Sequence, residues 1–177
     1  MPSDDIFWSV PVRVEDVPES GRHVRIEADT AIRDAVARAI GVLEVSRLKA
    51  EFHVSRDGRA GLRVIGAVSA TASQSCVVTL EPVPEEVAED VDLRFSPDVA
   101  ETTLSDQAEI PDVDPPEPLI GGAVDLGAIA VEFLALGLEP YPRKPGVIFQ
   151  APAGDDGALN PFAALAALKK ETGGPGG

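Results

Sequence analysis

The sequence predicts an α+β fold: an antiparallel β-sheet or partly closed, barrel-like meander with two to three helices and a flexible acidic linker. Three observations predict it. Four runs between residues 45 and 95 have the alternation or the β-branched composition of strands and are joined by short connections. Two stretches, 29–41 and 125–137, place apolar residues at helical spacing instead. Between these groups, residues 96–118 are dense in proline and acid, without a base or an aromatic. With 177 residues, 44% of them apolar, the chain is long enough to bury a core.

The elements follow in order. Residues 6–14 (IFWSVPVRV) suit a pleated, half-buried surface, and Pro11 makes an edge strand of them because it brings no N–H to a ladder. Residues 16–22 are a turn-rich connection. In 23–28, Val24, Ile26 and Ala28 alternate with His23, Arg25 and Glu27, which is strand periodicity. Residues 29–41 form the clearest helix: Ile32, Ala35, Val36, Ala39 and Ile40 share a stripe, Asp29 or Thr30 caps the start, and Gly41 suits the left-handed end. Residues 45–55 alternate again, with Leu48, Ala50, Phe52 and Val54 on one face, and the Arg56-Asp57-Gly58-Arg59 run turns the chain. Residues 62–73, 75–80 and 87–95 complete the expected meander, with Cys76, Val78 and Leu80 on one apolar phase and Glu81-Pro82-Val83-Pro84 interrupting as a turn or bend.

Residues 96–118 bury too little to offset the entropy of ordering and are expected to be mobile and outside the sheet. Asp125 then caps a second helix, with Leu126, Ile129, Ala130, Phe133 and Leu134 on one face and Gly137 near its end. Pro140, Pro142 and Pro145 impose an extended loop, and residues 154–157 are a second flexible joint. Asn160-Pro161-Phe162 opens a short last helix whose Phe162, Leu165 and Leu168 form a narrow stripe and whose Lys169 and Lys170 meet the negative end of the dipole. About ten residues hold a helix poorly in water, so this one must dock, on its own domain or on a partner. The expected organisation is therefore an α+β core over 1–95, an acidic linker over 96–118, a helix and loop packing on the core over 119–150, and a joint, terminal helix and glycine-rich tail over 151–177.

Charge narrows the function classes. The net charge is −15, and it is uneven: residues 13–63 hold ten bases and nine acids, whereas residues 81–117 hold thirteen acids and the single base Arg94. Such a chain repels phosphate backbones and favours cationic partners. Dinucleotide, P-loop and nucleophile-elbow motifs are absent from the sequence; Gly121-Gly122 lacks the required spacing. His23 and His53 fall on polar strand faces without a nucleophile and orienting acid placed beside them by sequence, and Asp90/Asp92 and Asp112/Asp114 read as solvated acids. One cysteine, Cys76, reads as a small buried hydrophobe in a reducing cytoplasm. A structural zinc site needs about four soft ligands, which the chain does not supply. No apolar leader or 20-residue apolar span is evident, and no cofactor is expected.

The order of a small-residue strand, Cys76-Val77-Val78-Thr79-Leu80-Glu81-Pro82-Val83, Phe95-Ser96-Pro97, the acidic linker, Val124-Asp125-Leu126, residues 136–142, and Asn160-Pro161-Phe162-Ala163-Ala164-Leu165-Ala166-Ala167-Leu168-Lys169-Lys170 resembles the bacterial YceD family, the large-ribosomal-RNA-subunit accumulation proteins. The terminal N-P-F-x-x-L-x-x-L-K run is its most specific part. The resemblance implies a non-enzymatic cytoplasmic factor in large-subunit ribosome biogenesis. Many members carry C-x-x-C where this chain has Cys76 and Thr79, and a further cysteine beyond the proline loop, so a metal or redox role does not carry over. The acidity suits a basic large-subunit ribosomal protein or a large-subunit precursor as partner, with Asn160, Pro161, Phe162, Leu165, Leu168, Lys169 and Lys170 as the partner-binding residues. Two alternatives remain: direct RNA binding through the arginine-rich N-terminal half, and an enzyme whose site is gathered from several strands.

Overall fold

The computed structural model describes residues 8–97 and 115–149. Its centre is a five-stranded sheet in the order β2-β3-β4-β5-β6, with β2 at Arg22–Glu27, β3 at Glu44–Asp57, β4 at Gly61–Ser75, β5 at Pro82–Ser96 and β6 at Glu117–Pro118. All pairings are antiparallel except β5 with β6. A second, two-stranded sheet pairs β1 (Pro11–Arg13) with β7 (Ala123–Asp125). The helices are α1 (Thr30–Ile40) and α2 (Leu126–Gly137). The expected α+β fold with an antiparallel meander is what forms, and the sheet stays open.

Alternation decides which face is covered. Leu48, Ala50, Phe52 and Val54 of β3 lie opposite Ala70, Val68, Gly66 and Val64 of β4, and on the same face Val87, Val91 and Phe95 come from β5. These residues, the half-buried Gly66 apart, are buried in one core with Val36 and Ala37 of α1, Leu126, Ile129, Ala130 and Leu134 of α2, and Trp8, Val12, Val17 and Val124 around the small sheet. Helix α1 packs on β3; α2 packs on β4, β5 and β1. The opposite face of the large sheet has no covering layer among the described residues.

Capping follows the sequence reading. The Asp29 side chain accepts from the Ile32 N–H at 2.8 Å, and Gly41 ends α1 in the left-handed region. Asp125 does two tasks: its carboxylate accepts from the Gly127 and Ala128 N–H groups at the start of α2, and from Val10 N–H and Ser9 Oγ of the N-terminal segment, at 2.9 and 2.6 Å. One carboxylate thus caps the helix and holds the small sheet to it.

Three expectations are corrected. Residues 75–80 are not a strand: β4 ends at Ser75 and the chain turns over 77–79. Cys76 is buried as expected, but Leu80 is 76% exposed with φ of +61°, because a turn breaks the alternation that would have placed both on one face. Residues 82–84 do not interrupt the sheet. Pro82 and Pro84 pair with Ser75 and Ser73 at the start of β5, whose other side is unpaired there, so two missing N–H groups cost no ladder bonds. The segment 96–118 is strand at both ends: Ser96 closes β5, and Glu117–Pro118 adds β6 beside Phe95 and Ser96, with Leu119 N–H donating to Ser96 O at 2.9 Å. Its middle, 98–114, lies outside the described residues. Gly137 is the last residue of α2, as expected. A Cβ there would sit 2.5 Å from Val87 Cγ1 and 2.7 Å from Glu89 Oε1, so glycine lets the helix end close onto β5.

Candidate functional site

Two surfaces collect the residues that sequence reasoning singled out. The first is the end of the sheet where β4 passes into β5. The turn is closed by Leu80 N–H to Cys76 O at 2.9 Å and Cys76 N–H to Glu81 O at 2.8 Å. The loop that follows α2 is pinned against it. Val77 N–H donates to Pro142 O at 2.9 Å, the Lys144 N–H reaches the Cys76 Sγ at 3.4 Å, and Lys144 Nζ pairs with Glu81 at 3.0 Å. Gln74 adds a bond to Glu139 O, and Glu85 accepts from the Glu139 N–H. The extended loop expected from its prolines is therefore one wall of a built corner.

Electrostatics at this corner centre on the sulfur. The Thr79 hydroxyl, and then the N–H groups of Lys144, Thr79 and Val78, donate to it; together they outweigh burial and bring the Cys76 thiol from 9.0 down to about 6. Lys144 in turn holds the Glu81 carboxyl below its usual value, through its hydrogen bond first and its charge second. The C-x-x-C spacing of the resembled family folds here into a turn whose fourth position, Thr79, faces the thiol with a hydroxyl. One sulfur and one hydroxyl do not make a zinc knuckle, and among the described residues no group of three or more His, Cys, Asp or Glu is placed to hold a metal. Beside this polar centre the corner shows apolar groups to solvent: Leu80, Tyr141 at 70% exposure, and Val77 at 46%.

The second surface is the uncovered face of the sheet. Sequence alone leaves the bases of residues 13–63 free to gather into a basic patch. The structure disperses them among acids. On this face Arg25 pairs with Glu51, Lys49 with Glu27, Arg47 with Glu86, Arg63 with Asp92, and Arg94 with Asp57. Elsewhere Arg33 is tied to the Ala28 carbonyl and Arg56 to the Val17 carbonyl. The pairs have electrostatic signatures: the Arg63 guanidinium holds the Asp92 carboxyl low, the Arg94 guanidinium does so for Asp57, and Thr71 and then Arg47 do so for Glu86. Glu89 and Asp90 have no ion pair among the described residues, and the described acids from Glu85 to Asp92 run along β5, whose outer edge is unpaired until Phe95.

His23 and His53, separate in the sequence reading, are direct cross-strand partners between β2 and β3. Strand alternation could place each on the polar face, but helix α1 intervenes between the strands, so no turn length fixes their register. The seven terminal residues proposed to bind a partner, Asn160 through Lys170, lie outside the described residues.

No helix among the described residues is long and apolar enough to cross a membrane. No curated protein and no solved structure matches the chain. A family model does: that of the large ribosomal RNA subunit accumulation protein YceD matches residues 64–169, from β4 through the pinned loop to the terminal motif, which is more than half of the chain. By that match the chain belongs to the YceD family, whose description ties it to accumulation of the large ribosomal RNA subunit.

Proposed function

We propose that this chain supports accumulation of the large-subunit ribosomal RNA without catalysing a reaction, by holding a basic large-subunit ribosomal protein, alone or in an assembly intermediate, in the cytoplasm. The observation that carries this reading is the separation of charge. Arg25, Arg47, Lys49 and Arg63 of the N-terminal half are each paired with a carboxylate of a neighbouring strand, while the acids of β5 continue into the acidic run 98–117 with Arg94 as the only base. A surface of that sign speeds encounter with a cationic protein and disfavours RNA, and RNA arriving later competes for the same cations. The exposed Leu80, Val77 and Tyr141 beside the acidic strand supply apolar contact area at the same end of the sheet. Asn160, Pro161, Phe162, Leu165, Leu168, Lys169 and Lys170 form the second part of the contact, a short amphipathic segment that folds on its partner.

The test is capture from cell lysate with the tagged full-length chain, with and without nuclease. A basic large-subunit protein retained after nuclease supports the reading; capture that disappears with nuclease favours direct RNA binding and overturns it. A truncation after Leu159 refines the result. Loss of capture with a nearly unchanged melting temperature assigns the terminal segment to the partner, whereas undiminished capture removes it from the contact. In a strain lacking the gene, free large subunits should fall relative to small ones on a sucrose gradient.

A further inference from the structure

We propose that His23 and His53 form an open, two-imidazole site for a divalent transition metal of the imidazole-preferring kind, Zn2+ being the representative, on the uncovered face of the sheet. The two residues are directly opposite in the β2–β3 register, where the neighbouring cross-strand pairs on the same face are Arg25 with Glu51 and Glu27 with Lys49. Opposite charges make good cross-strand pairs; two imidazoles, which repel once both are protonated, do not. Their ring centroids are 4.4 Å apart with planes inclined by 49°, and His53 Nδ1 lies 3.1 Å from His23 Nε2.

That spacing is also a chelating bite. An ion at the usual Zn–N length of about 2.0–2.1 Å from both nitrogens would subtend roughly 95–102° between them, which lies between octahedral and tetrahedral values. The ring of His53 is backed by Gly21, where only a residue without a side chain leaves it room. Gly21, at φ of +78°, approaches so closely that a Cβ there would fall 2.5 Å from His53 Cε1 and 2.6 Å from Nε2. The Nε2 edge of His53 therefore rests on Gly21, and Nδ1 is turned to His23. In the neutral pair one facing nitrogen carries a hydrogen and the other accepts it. Metal binding moves that hydrogen to the far nitrogen of its own ring, so that His53 carries its hydrogen on Nε2 and His23 on Nδ1.

The surroundings fit an exposed, water-completed site. The pair lines a shallow groove of ≈ 650 Å³ with Ile65, Arg25 and Glu51. Arg25 and Glu51 are 3.2 Å apart and cancel each other, so the groove does not repel a dication. No third protein ligand is placed beside the pair among the described residues, leaving the remaining positions to water. Imidazole donors with open positions suit zinc, nickel and copper over magnesium or calcium.

The experiment uses the full chain, stripped with chelator and titrated with Zn2+, read by calorimetry and by 15N shifts of the imidazole nitrogens. The expected result is one equivalent bound, with His53 Nδ1 and His23 Nε2 as the metallated atoms. His23→Gln and His53→Gln should each weaken binding by about tenfold or more, and Cys76→Ser should leave it unchanged. Absence of binding, wild-type affinity in both histidine variants, or loss of binding on Cys76→Ser would each overturn the proposal. Should a histidine variant fail to fold, the wild-type shifts decide: metallation seen at those two nitrogens supports the site, and unperturbed nitrogens in the presence of bound zinc refute it.

Discussion

The two turns that join the three long strands are built on different principles. The β3–β4 turn is a free tip. Gly58, Arg59 and Ala60 are exposed at its apex, and its side-chain anchor is the exposed pair of Asp57 with Arg94, 2.8 Å apart. The β4–β5 turn is a corner: it buries Cys76, takes Leu80 into positive φ, and is held from outside by the loop after α2. Both connect strands of 14–15 residues. The first reverses the chain by local backbone preference; the second depends on a segment some 60 residues further on. Only the second lies within the part of the chain that matches the YceD family. A turn that needs a distant partner is conformationally fixed and can present side chains in a set arrangement, whereas a free tip cannot.

The contrast is breakable. The largest effect is expected from Gly137→Val, which drives a side chain into Val87 and Glu89, lifts the end of α2 from β5 and unpins the loop. Overpacking of this kind costs about 1–3 kcal/mol, and the melting temperature should fall by several degrees. Thermal denaturation that stays at the wild-type value would show that the loop is not needed for the corner.

Cys76→Ala should rank next, since it removes the acceptor of four donors. It also has a pH signature. The folded thiol titrates near 6 and the ordinary value is 9.0. A group whose folded value is depressed stabilises the fold fully above its unfolded value, and that stability is lost as pH falls through the folded value. The wild-type melting temperature should therefore climb between pH 6 and pH 9 relative to the alanine variant. Parallel curves would contradict the hydrogen-bonded sulfur. Cys76→Ser, which keeps a polar acceptor, should retain large-subunit function.

Inserting Gly-Ser between Gly58 and Arg59 should matter much less. Lengthening an exposed tip costs only about 0.6 kcal/mol per doubling of loop length, so denaturant midpoints should nearly coincide. A loss comparable to that of Gly137→Val would mean that the free tip is not free.

The smallest effect belongs to the exposed ion pairs. Asp92→Asn and Arg63→Ala should shift stability slightly at low salt and not at high salt. Asp92 is held low by Arg63, so its contribution is complete above the usual carboxylate value of 3.8 and disappears as pH falls through its lowered native value. A mutant difference that persists in acid below that range would argue against the pair.

Local signals were legible in the sequence where the physics is local. The caps Asp29, Gly41 and Asp125 need only neighbouring N–H groups, and the alternation of Leu48, Ala50, Phe52 and Val54 needs only a two-sided strand. Pro82 and Pro84 imply a break by sequence alone and yet pair in β5, because a sequence does not say which side of a strand lacks a neighbour. The acidic segment is uniform in composition but not in structure: Glu117 and Pro118 pair with Phe95 and Ser96 across a long stretch of chain. Of the candidate surfaces, the acid band could be counted from the sequence, but the neutralisation of Arg25, Arg47, Lys49 and Arg63 could not, because each carboxylate comes from another strand.

By itself, then, the sequence determined the α+β class, the covered and uncovered faces, both described helices, the acidic character and the resemblance that the family match bears out. These depend on residue periodicity and composition, which are properties of the chain in order. Tertiary structure alone decided the register that sets His23 against His53, the loop that closes on Cys76, and the close approach that requires glycine at 21 and 137. Each brings together residues separated by another element of the fold, or by many residues of chain, and pairing at that range is fixed by how the core packs, not by any neighbour in sequence.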